Sequence, residues 1–395
     1  MSGGAATERI RRAVAWLRAV FGTRPSILFI DDRVPEAAIG AGAPRALALQ
    51  RAIVAVGAKL TLLPIAGDPE DVAAACTQLP ARELVLGCGA RGLAGFLAQR
   101  GNEFDVIMVS RPHNMVIFRR SLSENPGLRL RAAVVYDAEA LFAERDALQL
   151  CLLGRPLPAE EARKRIDNEL ALAAGSRIVI AVSDDIGRVF RKAGVADVRT
   201  IGHALKSRPT ATGFLARDEL LFVGPTDDGT PNTDSVVWFA DEILPRIRRG
   251  LGRDLSLQVV GNARSALVTG RKDGRLKLHG PIADITPLYE RARIFVAPTR
   301  FASGIPMKVY EAAAHGVPVV LTPLLARQVG WMHEQEVLVA ESAEDFAAAC
   351  LRLHGDQALW ERIRAAALRR VAADCDPRHF KRTVAQLVSD VARFA

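Results

Sequence analysis

The sequence predicts an α/β protein made of two Rossmann-like, doubly wound domains, and three observations predict it. The chain has 395 residues, more than one hydrophobic core ordinarily serves. Short, continuously apolar runs alternate with helical patterns, which is the order of a parallel sheet crossed by helices. The alternation lapses at 202–213 (GHALKSRPTATG), a stretch with Gly, Pro, Ser and Thr and no periodicity, and then restarts.

In the first half, 26–31, 59–64, 83–86, 105–109 and 132–136 read as strands, each apolar throughout as a strand buried on both faces should be. Helical patterns lie between them at 44–56, 71–79 and 92–100. A long helical stretch broken at Pro156 and Pro158 follows, then a strand at 177–182 and a helix at 184–193 with Ser183 as its N-cap. After the linker come strand 220–223, helix 233–248, strands 255–260 and 294–298, helix 306–315 and strand 318–321. No short repeat is present. The last fifty or so residues read as helical and run back toward the first domain. The expected division is 1–205, 206–375, and a 376–395 helix packing on the N-terminal domain.

Apolar residues at 49% and charged residues at 25% describe a globular chain and exclude disorder. The net charge of +9 invites a polyanion, which nucleic acid, anionic lipid or a phosphorylated small molecule would satisfy. The arginines are dispersed, aromatics are 6%, and no zinc-finger, RNA-recognition or basic-zipper pattern occurs, so no nucleic acid is expected. Five scattered cysteines without a C-x-x-C pair indicate neither a disulfide framework nor a zinc site, as in a reducing cytoplasm. No apolar run is long enough to cross a bilayer. Near the N-terminus, Arg18 interrupts ERIRRAVAWLRAVF, which argues against a signal peptide. Ile10, Val14, Leu17 and Phe21 recur at helical spacing there, as in a helix packed on the first domain or a basic amphipathic helix on anionic lipid.

Gly87, Gly89 and Gly92 match G-x-G-x-x-G, a dinucleotide fingerprint. They follow the third strand, however, and Ser110 closes the next one where a ribose-binding acid belongs. A tight strand-to-helix turn accounts for them, and no resident cofactor is expected.

The chemistry concentrates in 293–331, RIFVAPTRFASGIPMKVYEAAAHGVPVVLTPLLARQVGW. It reads as a buried strand, a loop with Ser303 and Gly304, and a helix opened by Pro306. The free N–H groups and dipole of such a helix start make an anion site, and Gly304 permits close approach to the backbone. Lys308 adds a cation. Glu311 sits among small apolar residues, where an acid ordinarily has a partner.

This stretch resembles the donor-binding region of glycosyltransferase family 4, the retaining group with the GT-B fold of two Rossmann-like domains facing a cleft. Gly304, Pro306, Ala313, Gly316 and Pro318 match its frame, and Glu311 matches the second glutamate of E-x7-E, which the resemblance assigns to the nucleotide ribose. Ser303 stands where that family has its first, sugar-facing glutamate, and LFVGPTDDGTPN lacks the family's phosphate-clamping basic pair, a role left to Lys308 or Arg300. DSVVWFADEILPRIR and LQVVGNA are similar to the family's next helix and strand, and SILFIDDRVPEAAIGAGAPR to its opening strand and glycine loop.

The resemblance implies a donor set of Glu311, Lys308, Gly304, Ser303, Ile305, Met307, Arg300 and Gly224. Gly40, Gly42, His113 and Asp137 are acceptor-side or phosphate-loop candidates; His113 reads equally as a capping or packing residue. The implied reaction is metal-independent, retaining transfer from a nucleoside-diphosphate sugar to a carbohydrate or lipid-linked hydroxyl. Cell-envelope or polysaccharide synthesis is the implied setting, in the cytoplasm or peripherally at the inner membrane face. No D-x-D motif stands in a suitable loop. Two alternatives stay open: a binding subunit that has lost the reaction, and a sugar-nucleotide epimerase.

Overall fold

A computed structural model describes residues 24–35, 42–69 and 72–392. The predicted N-terminal helix and Gly40 lie outside the described residues. The chain divides into two compact units: Met1–Glu144 with Pro158–Ala204 and Pro377–Ala395, and Arg145–Leu157 with Leu205–Asp376.

The first unit holds a seven-stranded sheet, all of whose pairings are parallel: β1 (Ser26–Asp31), β2 (Lys59–Pro64), β3 (Glu83–Leu84), β4 (Val106–Ser110), β5 (Ala133–Glu139), β6 (Ile178–Ala181) and β7 (Val198–Thr200), in the order β3-β2-β1-β4-β5-β6-β7. Ile27, Leu28, Phe29 and Ile30 are buried on both faces of β1, which is why that strand reads as a continuous apolar run rather than an alternating one. The helix Pro377–Ala392 packs against the helix Gly42–Ala55 of this unit, its Phe380, Val384, Leu387, Val388 and Val391 sharing one core with Leu49, Ile53 and Val56.

The second unit holds a six-stranded parallel sheet: β8 (Glu219–Val223), β9 (Leu257–Val260), β10 (Leu276–Leu278), β11 (Ala292–Ala297), β12 (Val319–Leu321) and β13 (Leu338–Val339), in the order β10-β9-β8-β11-β12-β13. In each sheet the strand order reverses once, between β1 and β4 and between β8 and β11. Open α/β sheets bind ligands beyond the carboxyl ends of their strands at such a reversal. The two reversals therefore mark where each unit's chemistry belongs.

Several boundaries depart from the sequence reading. Three strands went unread: β7, β10 and β13 have three, three and two residues, too few to show a period, and β3 keeps two of its four predicted residues. The predicted 233–248 helix begins at Pro231, capped by Thr230, passes through a π turn at Phe239–Ile243 and ends at Leu251 against the left-handed Gly252. Pro306 precedes rather than opens its helix, Met307–Ala314, because its ψ of 91° is not helical. Ser183 does cap its helix, accepting from the Ile186 N–H at 3.3 Å. The 205–213 stretch is no free tether: Leu205 N donates to Cys375 O at 3.0 Å, Arg208 N to Ala314 O at 2.8 Å and Thr210 N to His315 O at 3.1 Å. Among the described residues no helix is long and apolar enough to cross a membrane.

Candidate functional site

At the reversal in the second sheet, β8 ends at Val223 and turns through Gly224, whose N–H donates to Val260 O at 2.8 Å. Gly224 has φ 153°, and a Cβ there would fall 2.7 Å from Asn232 Nδ2. Beyond β9, a Cβ on Gly261 would fall 2.7 Å from the Gly224 backbone. Glycine at 261 lets the two turns lie so close, and glycine at 224 leaves room for the Asn232 side chain.

The loop after β11 supplies the opposing wall. Thr322 Oγ1 donates to Thr299 O at 2.6 Å and Gln328 Nε2 to Ala302 O at 3.1 Å, which hold the loop from below. Gly304 turns it with φ 82°. Met307 is buried and Ile305 packs on the same unit's core, so these two predicted donor residues anchor the turn with apolar side chains. Ser303 Oγ is shielded from water without a hydrogen-bond partner among the described residues.

Two cations come from this wall, and the helix Pro231–Trp238 receives both. The Arg300 guanidinium pairs with both Asp234 oxygens, Nε to Oδ2 at 3.0 Å, and lies 5.0 Å from the Trp238 ring centroid. Lys308 Nζ donates to Asn232 Oδ1 at 2.6 Å and lies 4.4 Å from the Phe222 ring centroid. Its side chain is partly buried and its ammonium is withdrawn from water, so burial pushes its pKa from 10.5 down to about 7.

One turn on, Glu311 has no hydrogen-bond or ion-pair partner for its carboxylate among the described residues, and burial pushes its pKa from 4.5 up to about 7. Its carbonyl accepts from His315 Nδ1 at 2.8 Å, so that nitrogen carries the proton. The His315 ring stacks on Tyr289 at 4.2 Å, and the Tyr289 hydroxyl is buried with no hydrogen-bond partner among the described residues. A cation and an acid thus stand on one short helix at the reversal of the sheet, both desolvated and neither cancelled by an opposite charge. That arrangement suits a ligand carrying phosphate next to a polyol.

At the reversal in the first sheet each charged side chain has a charged partner, although Arg45 and Arg111 must serve Asp137, Asp31, Asp32 and Glu139 between them. Asp137 is buried, takes two Arg45 N–H bonds at 2.8 and 2.9 Å and one from Ser110 Oγ at 3.3 Å, and Arg45 also donates to Ile201 O at 3.1 and 3.0 Å. Asp137 therefore serves the packing of this unit and has no exposed face for a ligand. Arg111, at φ 76°, pairs with Asp32 and reaches Glu139 at 2.9 Å and Asp31 at 3.6 Å; Glu139 is itself at φ 56°.

His113 is exposed, sets Nε2 against Asp32 and lies 5.9 Å from the Phe142 ring. Burial raises Asp31 to about 7 despite Arg111. Burial also opposes the charge on Asp32, but the bond from His113 and the charge of Arg111 outweigh it and hold that carboxyl below the usual range. Gly42 opens the helix Gly42–Ala55. In the glycine triplet, Gly87 N donates to both Asp68 oxygens, at 3.0 and 2.9 Å, closing the turn that leads into Gly89–Arg100.

Sequence reasoning missed Asn232 and Asp234 as partners of the two cations. Thr230-Pro231 was the available signal: a capping residue followed by proline places 232 and 234 in a first helical turn.

Comparison with known proteins bears on the same region. Residues 217–356 match the family model of glycosyl transferases group 1, a span that takes in every second-unit residue named for this site. No curated protein matches the chain. Sucrose-phosphate synthase from Thermosynechococcus elongatus is a structural neighbour at TM-score 0.70 and 16% identity, over 92% of this chain and 98% of that one. HepE from Anabaena, solved with UDP and glucose, gives TM-score 0.65 and 16% identity over 93% and 100%. A UDP-forming α,α-trehalose-phosphate synthase from Burkholderia xenovorans gives TM-score 0.62 and 11% identity over 94% and 100%. Two parallel sheets with alternating helices, repeated in these neighbours, identify the chain as an α/β protein of the two-domain GT-B fold.

Proposed function

We propose that this protein transfers a glycosyl group from a nucleoside-diphosphate sugar to a hydroxyl acceptor. The observation that carries the reading is the Lys308–Glu311 pair: a desolvated ammonium with only a neutral amide partner, and a desolvated carboxylate with none. The diphosphate supplies the negative charge that Lys308 lacks, and the ribose hydroxyls supply the donors that Glu311 lacks. The match to glycosyl transferases group 1 over 217–356 and a neighbour solved with UDP and glucose support the same assignment.

In the reaction the bond from the anomeric carbon to the diphosphate oxygen breaks and a bond to the acceptor oxygen forms. The electron pair leaves with the diphosphate, and the acceptor proton passes to a diphosphate oxygen. Lys308 and the N–H groups opening Met307–Ala314 stabilise the charge building on the leaving group, so the proposal is metal-independent, with the nucleotide sugar as co-substrate rather than resident cofactor. Retention of anomeric configuration rests on the family 4 resemblance. His113, exposed beside Asp32, is the acceptor-side candidate. The excess of basic residues supports a lipid-linked or polysaccharide acceptor and peripheral contact with anionic membrane at its cytoplasmic face.

A non-catalytic nucleotide-sugar-binding role is the second reading, favoured by Ser303 in place of the sugar-facing glutamate. Incubation with UDP-, GDP- and ADP-hexoses and a hydroxyl acceptor separates the readings. Nucleoside diphosphate released with an axial glycoside product supports retaining transfer. Tight binding without turnover supports the second reading, and donor isomerised without acceptor indicates an epimerase.

A further inference from the structure

The first turn of Pro231–Trp238 treats its two neighbouring cations differently. Asp234 takes Arg300 in a two-pronged ion pair that neutralises it in place. Asn232 takes Lys308 through an uncharged amide oxygen at 2.6 Å. We propose, resting on the diphosphate reading above, that Asn232 is a positioning residue of the donor site: it aims the Lys308 ammonium at the diphosphate and leaves its charge whole.

The local geometry dictates which way the amide faces. Asn232 Nδ2 donates to Pro225 O at 2.9 Å, so the other end of the amide, an acceptor, is the end offered to Lys308. Gly224 makes room for this arrangement, since a Cβ there would collide with Nδ2. The second neighbour of the ammonium is the Phe222 ring, whose face attracts a cation without neutralising it. An ammonium carries three donors. Among the described residues only Asn232 accepts from this one, which leaves two for phosphate oxygens. Burial lowers the Lys308 pKa to about 7 and no carboxylate among the described residues offsets it, so a bound diphosphate is what would fix the proton on this amine. An aspartate at 232 would neutralise the amine, as Asp234 does Arg300, and would lose the bond to Pro225 O.

The test is a double-mutant cycle on the full chain, read by calorimetric titration with UDP, GDP and ADP. For the nucleotide that binds the wild type, Asn232→Asp weakens binding about tenfold, the worth of one charge-assisted contact. In a Lys308→Met background the same substitution changes affinity less than about twofold, because its effect runs through the lysine. Asn232→Ser, which adds no charge, lowers affinity by a smaller factor and serves if the aspartate variant does not fold. Equal losses from Asn232→Asp in both backgrounds, or no loss in either, overturn the positioning role while the donor reading stands. A wild type that binds none of the three nucleotides overturns the donor reading, and the role of Asn232 falls with it.

Discussion

The two sheet reversals use their charged side chains in different ways. Beyond β1, β4 and β5 the charges answer one another: Arg45 with Asp137, and Arg111 with Asp31, Asp32 and Glu139. Beyond β8 and β11 one pair is closed, Arg300 with Asp234, while Lys308 and Glu311 are desolvated without an opposite charge among the described residues. Desolvating a charge is costly, and a fold retains such a group unpaired where a ligand completes it. The number of charges does not mark a binding site; what marks it is desolvated charge left unanswered.

The comparison is broken most forcefully at Arg45. Arg45→Ala leaves Asp137 buried with only the Ser110 hydroxyl as partner, and is expected to cost about 3–5 kcal/mol of stability in urea denaturation while nucleotide affinity of the folded fraction is unchanged. Lys308→Met reverses that pattern: nucleoside-diphosphate binding falls by about 1.5–3 kcal/mol in titration, and the melting temperature rises because a poorly solvated ammonium is gone. Glu311→Ala weakens binding by about 1–3 kcal/mol, and Glu311→Gln by less, since it still offers an acceptor to the ribose.

Stability against pH sharpens the contrast further. From about pH 4.5 to 7 the folded chain holds a proton on Glu311 that the unfolded chain has released, so stability from this group is present below that window and lost as pH rises through it. Lys308 runs the other way: from about pH 7 to 10.5 the unfolded chain keeps a proton the folded chain has lost, so stability is gained as pH rises. Urea titrations across pH should show Glu311→Gln flattening the first window and Lys308→Met the second. The smallest effect is expected from Asp234→Asn, which frees the Arg300 charge and strengthens nucleotide binding by a few-fold, about 0.5–1 kcal/mol.

How much of this was legible follows from chain distance. The central strands were readable because burial on both faces writes an apolar run such as SILFID into the sequence, whereas β10 and β13 hold two or three residues and write nothing. Glu311 was readable as an acid in an apolar helix. Asp137 looked like a ligand residue because its partner, Arg45, lies 92 positions away and is delivered by topology. Asn232 was missed for a smaller reason: the helix was started at 233, two residues late, which left the lysine's partner in the preceding loop.

The central claim is that the helix start at Met307 grips a diphosphate while Glu311 grips the adjoining ribose. Titrating the wild type, Lys308→Met and Glu311→Ala with a nucleoside diphosphate and with its 2′,3′-dideoxy analogue tests it most directly. The account predicts that Lys308→Met weakens both ligands alike, and that Glu311→Ala weakens the parent nucleotide but not the dideoxy form. Equal losses for both ligands on Glu311→Ala, or affinities indifferent to either substitution, would contradict it.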